Sequence, residues 1–248
     1  IISHVGANRF AAICSDNTGN VHVACVEIQK KYPWIINIPD PCHHLNLLVK
    51  DLCAIEFFQM AIKITCCTVK FFQKSTFASA QLRIAQQKYK VSRGLVPIGK
   101  TWFGTIYFAG SSIQQCLTPL RELCGDETTH VVIPVCSHLL AFSLMLNILC
   151  RMSMKTLSFQ LNLQQLLAVI GPPAKATKCL ESSFATAADV FEFWLAVQAA
   201  FEELSKKNST QLPVHVLEKV QHLRNYCFNQ IINAAPSDIW VTAFFLTP

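Results

Sequence analysis

Charge is scarce in this sequence. Asp, Glu, Lys and Arg make up 15% of its 248 residues, against roughly a quarter in an average soluble domain. Acid is the scarcer sign. No Asp or Glu occurs from Phe57 to Arg121, where Lys63, Lys70, Lys74, Arg83, Lys88, Lys90, Arg93, Lys100 and Arg121 all fall. A one-sign stretch of that length attracts polyanions, of which nucleic acid is the usual one. The alternative is a solvated helix face that happens to be basic. Glycine is also sparse, at 8 residues, which argues against a Gly-rich or disordered chain. The 12 cysteines include no Cys-x-x-Cys pair. Cys14, Cys25, Cys53, Cys66, Cys67, Cys116, Cys124, Cys150 and Cys227 sit in apolar periodic segments, where a free thiol acts as a small hydrophobe. That argues against a disulfide framework and for a reduced, intracellular protein. The opening "IISHVGANRF" lacks the basic stretch and long apolar run of a signal peptide. It also lacks an initiator Met, so a fragment is expected.

What is present is apolar pattern. "RFAAICSD" predicts a short buried strand, bounded by polar residues. "TGNVHVACVEIQKKY" predicts a helix, ended by Pro33. "WIINI", Trp34 to Ile38, predicts a second strand, and "PDP" breaks it. "HHLNLLVKDLCAIEFFQMAIKITCCTVKFFQ" predicts two helices. The first fifty residues thus read strand–helix–strand–helix, an α/β pattern. Beyond residue 54 the periodicity predicts helices over 54–74, 76–90, 105–124, 156–170, 184–207 and 213–234, separated by turn signals that include "GPPAKAT". The tail "DIWVTAFFL" predicts a strand or a buried helix start. Residues 131–150 carry no charge over the length that spans a bilayer. Pro134, Ser137, His138, Ser143 and Asn147 interrupt them, and no aromatic belt flanks them. A buried helix is the expected reading, a transmembrane one the alternative.

Three places carry candidate chemistry. "GLVPIGKT", Gly94 to Thr101, has the spacing of a phosphate-cradling loop. A helical pattern precedes it where a strand is required, and Pro97 removes an N–H, so a basic loop between helices is the better reading. Cys42, His43 and His44 are good zinc ligands, but a structural zinc needs four ligands at looped spacings and no second cluster occurs. Packing or hydrogen bonding at a helix start is the plainer role. Asp16 stands where the first strand ends. Ligands of α/β sheets gather at the carboxyl ends of strands, and carboxylates there can clamp divalent ions for phosphoryl transfer. The alternative is a cap on the helix beginning near Thr18. Asp40 and Asp51 lie nearby, and neither is expected to end a comparable strand.

Together "FAAICSDNTGN", "YPWIINIPDPCHHLNLLVKDL", "GLVPIGKTWFGT" and "ADVFEFWLA" resemble the hAT superfamily of DNA transposases, most closely the fungal proteins with a ribonuclease H-like domain of this type. The likeness runs, with gaps, from about residue 5 to 248. Its most specific part is the pair "SDNTGN" and "HHLNLLVKD" at this separation. The resemblance implies a partial ribonuclease H-like α/β core over 1–53, a large all-helical insertion over 54–235 and a return toward the core over 236–248, predominantly α in all. It implies three acids that bind divalent metal, Mg or Mn, for strand cleavage and transfer. Asp16 is the counterpart of the second acid. The first belongs upstream of Ile1 and the third past Pro248, and Glu192 does not match it. The family's Cys-x-x-His signature places its His at His43 and puts Asp40 where Cys should be, with Cys42 a partial substitute. Trp102 stands where Arg is expected. The family's DNA-binding zinc finger and C-terminal dimerisation segment have no counterpart here.

The resemblance therefore implies a truncated hAT-type transposase region, inactive by itself, from a nuclear parent that performs metal-dependent DNA phosphodiester cleavage and strand transfer. DNA is the expected partner, through Lys63, Lys70, Lys74, Arg83, Lys88, Lys90, Arg93 and Lys100. A homo-oligomer is expected of the full-length parent, and a membrane is not an expected partner. The alternatives are a residual or domesticated domain that binds DNA or protein without catalysis, and a nucleotide-binding protein that uses Lys100.

Overall fold

A computed structural model describes residues 1–16, 18–99, 103–125 and 154–247. One helical turn, α1 (Ile2–Val5), leads to the strand β1 (Ala12–Ser15). Then follow α2 (Gly19–Lys31), β2 (Ile36–Pro39) and α3 (Pro41–Cys53), in the order read from the sequence. The strands pair in parallel, with Ala12 opposite Ile36 and Ser15 opposite Pro39. Parallel pairing demands a crossover between the strands, and α2 provides it. The other main elements are all helices: α4 (Gln59–Lys74), α5 (Thr76–Lys88), α6 (Thr105–Gln115), α7 (Leu117–Gly125), α8 (Met154–Leu180), α9 (Ala187–Lys207), α10 (Val214–Phe228) and α11 (Ile239–Leu246). The described chain is predominantly α, as expected.

The helix boundaries differ from the sequence reading in three main places. The pattern over 105–124 holds two helices, α6 and α7, broken at Cys116. Pro119, in the first turn of α7, cannot donate a hydrogen bond back across that break. The Gly-Pro-Pro taken as a turn lies inside α8, which runs on to Leu180. Two prolines remove two ladder hydrogen bonds. They are tolerated because buried side chains hold the helix on both sides, Leu166, Val169 and Ile170 before and Ala174, Ala176 and Thr177 after. Thr177 Oγ1 also donates to the Pro173 carbonyl at 2.9 Å. The pattern over 213–234 closes in a π turn, Asn229–Asn233. Of the two readings of the tail, the helix start is the one found: it is α11, with Trp240 buried. Asn17, Lys100, Trp102 and the apolar run 131–150 lie outside the described residues.

The core is built around α8, which touches α3, α4, α6 and α9. Leu45, Leu48, Val49 and Leu52 recur at helical spacing along α3, and all four are buried. Fully burying an aliphatic side chain contributes about 1.5–3 kcal/mol, so this one stripe supplies roughly 6–12 kcal/mol before entropy is subtracted. On α2 only Cys25 is buried. The α3–α8 seam therefore anchors α3, while the strands and α2 pack chiefly on one another. One apolar cluster runs from Ile38 to Trp240.

Among the described residues no single helix is long and apolar enough to cross a membrane. Pro41–Cys53 and Glu56–Lys74 are apolar as a pair but bend by 77° at their junction. Their apolar residues Leu45, Leu52, Phe58 and Ile64 are buried in the core.

Candidate functional site

Asp16 and Asp40 follow the last residues of β1 and β2, which face each other in the register Ser15–Pro39. The Asp40 N–H donates to the Ser15 carbonyl at 3.0 Å, so the two acids leave adjacent strand ends together. This corrects the sequence reading of Asp40: it does end a strand comparable to that of Asp16. Their side chains do different work. Asp40 accepts the Cys42 N–H at 2.9 Å and caps α3, with Pro41 in the first helical position. Asp16 accepts only the Thr18 hydroxyl, at 3.3 Å, among the described residues. The residue at the start of α2 is Thr18, and its side chain makes no cap bond. Asp16 is thus not the cap of α2, and its half-buried carboxylate has little structural employment.

Cys42, His43 and His44 occupy the first turn of α3. Burial pushes the Cys42 thiol up to about 11, with Asp40, Glu181 and Cys14 adding to the rise. Burial, then Asp40, also pushes Cys14 up to about 11. Burial and the neighbouring His43 hold His44 below its ordinary value, against the pull of Asp40. Among the described residues no group of three His, Cys, Asp or Glu side chains is placed to hold a metal ion. The described residues alone therefore do not fit the expected two-ion site.

The sequence pattern assigns no role to Asn46, inside "HHLNLLVKD". Its side chain is buried, and Oδ1 accepts the N–H of Phe103 at 2.7 Å and of Gly104 at 3.4 Å. The two motifs "HHLNLLVKD" and "GKTWFGT" are thereby tied together in space. The available signal was one amide in an otherwise apolar helix stripe.

The basic residues divide by location. Lys63, Lys70 and Lys74 are exposed on α4. Spacings of seven and four residues set them within about 20° of one line along the helix, over roughly 16 Å. None of the three has an ion-pair partner among the described residues. Arg83 is exposed on α5, and Lys90 and Arg93 on the loop after it. Lys88 differs, since it pairs with Glu122 at 2.8 Å. Glu122 lies just past the acid-free stretch in sequence and folds back onto it. Arg121 turns inward, with Nε and Nη2 buried. Residues 91–99 are irregular and follow a helix, not the strand a phosphate-cradling loop requires. Lys100 itself lies outside the described residues. No protein-family model, no curated protein and no solved structure matches this chain.

Proposed function

We propose that the chain is a segment of a hAT-type transposase with a ribonuclease H-like core, and that its own activity is to bind duplex DNA through the lysine face of α4. The observation that carries this reading is the pair Asp16 and Asp40 at the ends of adjacent parallel strands, followed directly by α3 and its "HHLNLLVKD" motif. Parallel strands are normally covered on both faces and belong to larger sheets. Here the described sheet has two strands, and its crossover helix buries one side chain. Such a sheet has the character of a partial α/β layer. In this reading Asp16 is one metal-binding acid of the parent enzyme, and residues 54–235 are the helical insertion that meets DNA. A divalent ion, Mg or Mn, would support strand cleavage and transfer in the parent, which acts in the nucleus as a homo-oligomer. No catalytic step is assigned to the described residues.

Titration of the protein with a labelled DNA duplex over a range of salt tests the reading. Lysine contacts release condensed counterions, so affinity falls steeply as salt rises. Absent binding, or binding indifferent to salt, removes the proposal.

A further inference from the structure

Two cavities meet at Tyr107 and Lys175. The first, of about 380 Å³, is walled by Arg93, Lys175, Ser111, Gln114 and Gln115, and no carboxylate lines it. The second, of about 390 Å³, runs between α8 and α9. It has a floor of Ala168, Gly171 and Ala176 and aromatic walls in Tyr107 and Phe193. Both volumes lie within the range of small-ligand sites. Neither Arg93 nor Lys175 has an ion-pair partner among the described residues.

The parts are held in place. The Arg93 carbonyl accepts from Gln86 Nε2 at 3.3 Å and from Cys116 Sγ at 3.5 Å, and both of those side chains are buried. Three residues on, the Val96 N–H donates to Ser112 Oγ at 2.9 Å. The loop that carries Arg93 is thus fastened to α5 and α6. Lys175 Nζ stands 5.5 Å from the Tyr107 ring centroid. A Cβ on Gly171 would come within 3.0 Å of that ring, so the glycine lets Tyr107 lie against α8.

Two cations without an acid opposite call for an anion. An aromatic-walled groove beside them calls for a flat apolar body on the same molecule. The hydroxyl and amide groups of Ser111, Gln114 and Gln115 in the first cavity suit a sugar phosphate better than an acyl chain. We propose that the double cavity binds a nucleotide, with its phosphate between Arg93 and Lys175 and its base in the groove against Tyr107 and Phe193. Aromatic side chains bind bases by stacking, irrespective of sequence. The nucleotide is either free or part of an unpaired strand. The proposal stands apart from the α4 duplex reading and from Lys100.

The test titrates the protein with adenosine monophosphate and, separately, with a fluorescein-labelled oligothymidylate. Lys175→Glu replaces an exposed cation. Ala196→Trp fills the groove from an exposed wall position. Each variant should weaken binding at least about tenfold, the scale of one lost charged or stacking contact. Lys63→Ala/Lys70→Ala/Lys74→Ala should leave monophosphate binding unchanged, which separates failure here from failure of the duplex reading. Tight monophosphate binding identifies a free nucleotide as the ligand. Oligothymidylate binding that monophosphate cannot match identifies the unpaired strand. No binding of either probe, or binding untouched by both cavity variants, overturns the proposal.

Discussion

Asn46 Oδ1 accepts the main-chain N–H of Phe103 at 2.7 Å, joining α3 to the start of α6 across 57 residues of chain. Phe103 and Gly104 lead directly into α6, and a buried amide from another helix accepts from their N–H groups. Asn46→Ala leaves these donors facing an apolar core. The cost of a buried unsatisfied donor is about 1–3 kcal/mol, and urea unfolding should show a loss of that size. Asn46→Asp keeps an acceptor at the site and should recover part of the loss. A midpoint unchanged in Asn46→Ala would show the contact to be dispensable.

Much of this was legible in the sequence, and the failures have physical causes. The strand–helix–strand–helix opening was readable because turn residues and period changes coincide there. The end of α8 was misplaced because Gly171, Pro172 and Pro173 form a strong local break signal. Burial on both sides of them, by Ile170 and Ala174, outweighs two missing hydrogen bonds. Asp40 was set aside because Pro39 and Pro41 around it read as a break. Yet Pro39 lies on an edge strand of the described sheet and Pro41 begins a helix, two places that tolerate proline. The Lys88–Glu122 pair and the cavity between Arg93 and Lys175 join residues far apart in sequence, and no local pattern announces them.

The contrast between the two strand-end acids makes the second prediction. Asp40→Ala removes the α3 cap and should cost about 1 kcal/mol. Asp16→Ala gives up one long hydrogen bond from Thr18 and should cost less than about 0.5 kcal/mol. Thermal and denaturant unfolding of the two variants side by side decide the matter. Equal losses would make Asp16 a structural residue and take away its claim to be held in reserve for chemistry.

The lysine face of α4 gives a third. Replacing Lys63, Lys70 and Lys74 together by Ala should lower duplex affinity and flatten its dependence on salt. If each lysine meets one phosphate, the slope of log affinity against log salt should fall by about 2–3. Lys88→Ala should change it little, because Lys88 is already engaged by Glu122. These side chains are exposed, so the variants should unfold at the wild-type midpoint. A triple variant that keeps the full salt slope would move the DNA contact away from α4.

The fourth prediction concerns alkaline pH. Burial pushes the thiols of Cys53 and Cys227 from the ordinary 9.0 up to about 12. Between those two values the folded protein keeps a proton that the unfolded chain has lost. The associated stability is therefore complete below pH 9 and drains away as pH rises toward 12. Each thiol can contribute at most about 1.4 kcal/mol per pH unit in that window. Cys53→Ala and Cys227→Ala should each be somewhat less stable than the parent at pH 8, because a buried sulfur is lost. Each should also lose less than the parent does between pH 9 and 11. Cys179 is exposed, so Cys179→Ala should leave the slope alone. The same arrangement orders the thiols by reactivity. At pH 8 a thiol displaced to about 12 is ionised to roughly one part in ten thousand, so iodoacetamide should reach Cys179 well before Cys53 or Cys227 in the folded protein. Early labelling of Cys53 would mean that the α3 end opens on the timescale of the reaction.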